Sequence, residues 1–160
     1  MSRHLKNIII TFAIGCIVFI LGNLVFGDFS YENSTEFLIS FGFYQLYAFV
    51  LGFSNMFYFA YLERLEWKKK DGVKRIVIGT LGSTVLTLIG LFLLRLFTSV
   101  IYVGNSFSYF ITNESFKAYQ FGLWITLSIV MVFHFVYFYN RKQKQKIKEQ
   151  KVIAGTASAK

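Results

Sequence analysis

The sequence predicts an all-α protein: a four-helix transmembrane bundle whose fourth helix extends into the cytoplasm. Three observations lead there. Only 16% of the 160 residues are charged and 55% are hydrophobic, with a mean hydropathy of +0.52; a soluble domain carries about 25% charged residues. The charges fall in blocks separated by four apolar runs, spanning about 7–27, 37–62, 76–103 and 116–139. Each run exceeds the roughly 20 helical residues that cross a bilayer core. Proline is absent, so the commonest helix breaker is missing. Spanning strands need alternation and only about 9–11 residues. The runs do not alternate, and a backbone in lipid must satisfy its own polar groups, which leaves helices.

The first run follows a short charged head, Arg3, His4 and Lys6. It is longer than a signal-peptide core of about 7–15 residues, and no small-x-small cleavage site precedes Asp28, so it reads as a retained span. Gly15 and Gly22 form a weak small-residue seam, and Cys16 reads as a small apolar core residue. The third run carries Gly79, Ser83 and Gly90 on one face with Leu86 between them. Small residues let membrane helices approach closely, so this face reads as a packing seam, within the bundle or across a dimer. The general abundance of glycine in membrane helices explains it equally well.

Arg95 is the one charge inside a span. It lies about eight residues from the outer end, roughly 10–12 Å deep at 1.5 Å per residue. It either snorkels or pairs with an outer-loop carboxylate, Glu36 or Glu114; a signal-sensing role is the alternative. In the fourth run, His134 reads as an interfacial residue within an aromatic belt, Phe133 to Tyr139. A joint metal or haem role with Cys16 is the weaker reading.

Lys and Arg set the orientation. Two precede the first run, six lie between the second and third, and seven follow the fourth. Both termini are therefore expected in the cytoplasm. The outer loops, 28–36 and 104–115, are nine and twelve residues long, too short for a folded ligand-binding domain. The net charge of +9 reads as this inside bias plus contact with anionic lipid, not as a nucleic-acid surface. The lipid bilayer is the expected partner and no nucleic acid is expected. The single cysteine and two histidines offer no metal cluster or redox pair. No carboxylate lies within an apolar core, which disfavours proton-coupled transport. No catalytic set or cofactor site can be assembled, so the chain as given is expected to be no enzyme.

Residues 140–160 form a basic linker after the membrane domain of residues 1–139. Lys, Gln, Glu and Ala favour helix, so the fourth span is expected to run on. Ile147 and Ala154 are seven residues apart, a heptad spacing too brief to define a coiled coil. A solvated basic helix touching lipid is the equal alternative.

The stretch Gln145 to Lys160, with the four-span layout before it, resembles the segment that joins membrane region to kinase in LytS/YehU-like bacterial sensor histidine kinases. The resemblance implies a signal-input and anchoring module in the bacterial inner (cytoplasmic) membrane. It also implies a parallel homodimer, and a response regulator reached only through a kinase domain absent from this chain. The Pro-His phosphoacceptor motif of that family cannot be present without proline, so no residue here takes kinase chemistry. On this reading the chain is the front of a longer protein, and the signalling or packing candidates are Arg95, Gly79, Ser83, Gly90, His134, Ile147 and Ala154. The competing readings are a free-standing small membrane protein, acting as accessory subunit or carrier, and a cofactor-bearing membrane enzyme.

Overall fold

A computed structural model describes residues 3–26, 29–65, 67 and 71–157, with backbone alone for Arg3 and 153–157. The described residues hold five α-helices and no strand: α1 (Arg3–Phe26), α2 (Ser34–Arg64), α3 (Gly72–Leu96), α4 (Phe107–Asn113) and α5 (Lys117–Ala157). Four of them are long and apolar enough to cross a membrane; α4 is a short surface helix between α3 and α5. The four have the length and composition of membrane-spanning helices.

Local chemistry fixes the helix ends. Asn33 caps α2 by accepting from the Glu36 amide at 2.8 Å, while the Glu36 carboxylate accepts from the Glu32 amide at 2.9 Å. This is close to a reciprocal capping box. At the other end of α2 the Trp67 indole donates to the Leu62 carbonyl at 2.7 Å, meeting one of the carbonyls a helix end leaves open. α3 passes into a π-helical stretch at Phe97–Tyr102. There the Thr98 hydroxyl donates to the Leu94 carbonyl at 2.8 Å, and the β-branched Thr98, Val100 and Ile101 fit a regular α-turn poorly. Gly104 follows with φ +83°, a conformation only glycine enters without strain. Ser106 then caps α4, accepting from the Tyr109 amide at 3.1 Å.

Two boundaries differ from the sequence expectation. α3 begins at Gly72, not near Ile76, so Arg75 belongs to the helix and not to the basic loop. α5 is one helix of 41 residues, roughly 60 Å at 1.5 Å per residue, about twice a bilayer core. The expected extension beyond Tyr139 is therefore helical through Ala157. Ile147 on it is 51% exposed, and the side chain of Ala154 lies outside the described residues.

The helices pack in chain order: α1 on α2, α2 on α3, α3 on α5. The small-residue seams are the closest approaches. A Cβ on Gly15 would run into the Gln45 amide, and one on Gly22 into the Tyr44 ring, so both glycines let α1 lie against α2. Phe19 sits at that junction, edge-on to Phe37, Phe41 and Tyr44 at 5.3–5.5 Å. Gly90 meets Leu51 of α2 at 2.7 Å from its would-be Cβ. Among the described residues α1 and α5 do not pack along their lengths. They meet at one end, where Phe26 and Phe121 lie edge to face at 5.3 Å. The expected bundle is thus a row of four helices curled towards closure, not a ring with four equal seams.

Candidate functional site

The inward face of α3 reads Arg75, Gly79, Ser83, Thr87, Leu91 and Leu94, all buried. Steps of four and three residues keep these on one side of a helix. Most of this face is polar or small, and with Arg95 beyond it the helix carries three stations along its length.

The middle station is a hydrogen-bonded cluster between α2 and α3. Ser83 and Thr87 are 0% exposed. The Asn55 amide nitrogen donates to Thr87 Oγ1 at 3.1 Å and to the Leu51 carbonyl at 2.9 Å, and Ser83 Oγ donates to Asn55 Oδ1. Every polar atom of the Asn55 side chain is therefore used. Such bonds between membrane helices average about 0.6 kcal/mol, because freed hydroxyls fall back on the carbonyl one turn behind. Asn55→Leu is accordingly expected to cost only about 1 kcal/mol in thermal or denaturant unfolding in micelles.

Arg95 forms the station at the α4 end. Its Nε and Nη2 hold both oxygens of Glu114, at 2.5 and 3.0 Å, and its guanidinium lies 5.7 Å from the Tyr119 ring. Of the two carboxylates expected, Glu114 is the partner; Glu36 is spent on the start of α2. The Arg95 guanidinium holds the Glu114 carboxyl below the ordinary glutamate range. A depressed carboxyl contributes stability above its unfolded pKa and loses it as pH falls through the folded value. Stability is therefore expected to fall on acidification below the ordinary glutamate range, and Glu114→Gln removes that portion of the pH dependence in unfolding curves.

The third station joins α3 to α5 at the end where α5 leaves the apolar region. Arg75 is 1% exposed and His134 8%, so both side chains lie between helices, and Arg75 belongs to α3 and not to the basic loop. The Arg75 guanidinium lies 3.2 Å from the centroid of the Tyr137 ring, and its Nη1 lies 3.3 Å from His134 Nδ1. Arginine offers no acceptor, so Nδ1 must accept, and in the neutral ring the proton sits on Nε2. That nitrogen is 3.3 Å from Thr80 Oγ1, which accepts it. Gly79 makes the room: its would-be Cβ lies 2.7 Å from His134 Cε1. Phe59 of α2 completes the wall, edge-on to the imidazole at 5.6 Å and stacked on Phe133 at 4.8 Å. Arg75 Nε has no hydrogen-bond partner, and among the described residues no carboxylate lies within ion-pair distance of this cation. It is held by an aromatic face and an imidazole, a weak cage for a buried charge.

The sequence candidates thus separate. Gly79 and His134 touch each other, Ser83 belongs to the Asn55 cluster, Gly90 packs on Leu51, and Arg95 has its own partner. Cys16 and His134 engage different groups: Gln45 Nε2 donates to Cys16 Sγ at 3.5 Å, on α1. Arg75, Asn55, Thr87 and Tyr137 escaped the sequence reading. The four-residue spacing from Arg75 through Thr87 was the available signal, hidden because Arg75 was counted with the loop. Among the described residues no cluster of His, Cys, Asp or Glu forms a metal site. No family model, curated protein or solved structure matches the chain.

Proposed function

We propose that the chain is the signal-input and anchoring module of a two-component sensor histidine kinase, in the cytoplasmic membrane of a bacterium with both termini inside. The observation that carries the reading is α5: one unbroken helix, gripped by α3 through Arg75, His134 and Gly79, that continues well beyond the apolar region. A helix held at one place and free beyond it carries a rotation or shift to whatever follows. The loop between α1 and α2 and the α4 segment are too small to fold as ligand domains, so the input is a small or membrane-borne ligand or bilayer stress. A signal moves α5 only by the difference in its affinity for two packings. Arg75, held among the described residues by the Tyr137 ring and the His134 imidazole, makes the α3–α5 junction the place where such a shift would be felt. A parallel homodimer and a kinase domain after Lys160 complete the proposal.

The test is phosphorylation of the gene-length protein in membranes given ATP. Incorporation on a histidine downstream of Lys160 is the expected result. A gene product with no ATP-binding domain and no phosphorylation contradicts it, and favours a free-standing accessory membrane protein.

A further inference from the structure

The junction of α3 with α5 sets an imidazole against a cation, and that decides how it meets a proton. His134 is buried. Its Nδ1 accepts from Arg75 Nη1 at 3.3 Å, and its Nε2 lies 3.3 Å from Thr80 Oγ1. The closed junction therefore fits one form of the ring, the neutral one with its proton on Nε2. A proton added to Nδ1 turns the acceptor into a second donor. It also sets two like charges against each other where water is excluded, which disfavours the charged ring. Thr80 offers no relief, because its hydroxyl already serves Nε2.

The neighbouring elements supply no compensation. From α3 the ring meets Arg75 and Thr80. From α2 it meets the edge of Phe59. Tyr58 of α2 spends its phenol on the Ile78 carbonyl, and Glu63 attracts Arg75 only from beyond ion-pair distance. From α5 itself come Tyr137, whose ring lies under the Arg75 guanidinium, and Arg141, which repels Arg75. Among the described residues no carboxylate pairs with the imidazole. A histidine beside a carboxylate is gripped more tightly on acidification; this one faces a cation, so the sign is reversed. From Tyr139 on, the side chains of α5 are mostly exposed, so the cluster sits where α5 leaves α3.

We infer that the α3–α5 junction is a proton-operated latch: His134 takes up a proton when the junction parts, and the protonated ring keeps α5 from closing again on Arg75. The inference rests on the contact between the two helices and not on the kinase reading, and its test needs no phosphorylation. An imidazole in water titrates at about 6.5. Between pH 7.5 and 5.5 the ratio of parted to closed junctions therefore rises about tenfold. Glu114, held below the ordinary glutamate range, stays ionised throughout that window.

The test puts spin labels on the full chain in mild detergent, at the exposed Val73 of α3 and Lys142 of α5. Val73→Cys/Lys142→Cys carries them, with Cys16→Ala removing the native thiol. Pulsed electron resonance reads the distance distribution at both ends of the pH window. A longer distance is expected to gain about tenfold over the shorter one on acidification. The gain is expected to vanish in His134→Gln, whose amide keeps one acceptor and one donor but takes up no proton. A distribution unchanged with pH, or one that changes equally in His134→Gln, overturns the proposal. If His134→Gln does not fold, nitrogen NMR of His4→Gln decides, since that variant leaves His134 as the one imidazole. A neutral ring protonated on Nε2 is expected at the upper pH, with imidazolium growing in step with the longer distance. A ring protonated on Nδ1 at the upper pH, or imidazolium that forms with no change in distance, overturns it.

Discussion

Gly79→Leu is expected to lower unfolding stability in micelles by about 3 kcal/mol, the upper range for overpacking a tight interface. The first added carbon already falls 2.7 Å from His134 Cε1, closer than real Cβ atoms come, and 3.1 Å from Nε2. The leucine branch behind it has the α3–α5 seam and Phe59 as its walls, so the helices must part or His134 must leave. Either way Arg75 loses its imidazole. Gly79→Ala shows the same effect on a smaller scale, and Gly79→Ala/His134→Ala recovers part of it, because the clash is with the ring edge and not with backbone. A double-mutant cycle reads this directly. Gly79→Ala costing nothing while His134 is intact would mean the two helices are not in contact there.

His134→Phe is expected to cost about 1–3 kcal/mol, the desolvation penalty of a buried donor left without its acceptor. The phenyl ring keeps the shape and the contacts with Phe59 and Phe133 but offers Arg75 Nη1 nothing. Arg75→Met is expected to be far milder and near neutral. Removing a buried ion and filling its place with a flexible apolar chain often costs little or stabilises, and the Tyr137 ring remains as a packing surface. The combination Arg75→Met/His134→Phe should therefore be more stable than His134→Phe alone. A purely additive pair would show that Arg75 and His134 do not interact.

The four spans were legible because hydropathy and charge blocks are local properties. Their ends were not, since the apolar count stops at the first charge while the helix continues: Arg75 lies three residues inside α3 and is still buried. Asp71 and Gly72 mark the true start of that helix. The pairing of Arg95 was readable as far as two candidate carboxylates, and capping chemistry at Asn33 decided between them by using Glu36. The burial of His134 was not readable. It depends on a hole left by Gly79, 55 residues earlier, and the aromatic run around His134 looks like an interface whichever way it faces. The incomplete closure between α1 and α5 was hidden for a related reason: in lipid the apolar residues cover every side of a helix, so no hydrophobic stripe says which faces meet. The polar residues at four-residue spacing along α3 carry that information instead.

In the proposed signal-input module, α5 conveys the packing of the membrane helices by its rotation. The most direct measurement inserts residues after Asn140 in the gene-length protein and follows autophosphorylation in membranes. One inserted residue turns everything downstream by about 100°, and seven return it to within about 20°. The account predicts altered activity with one residue and near-normal activity with seven. Equal activity for the parent and both insertions would contradict it.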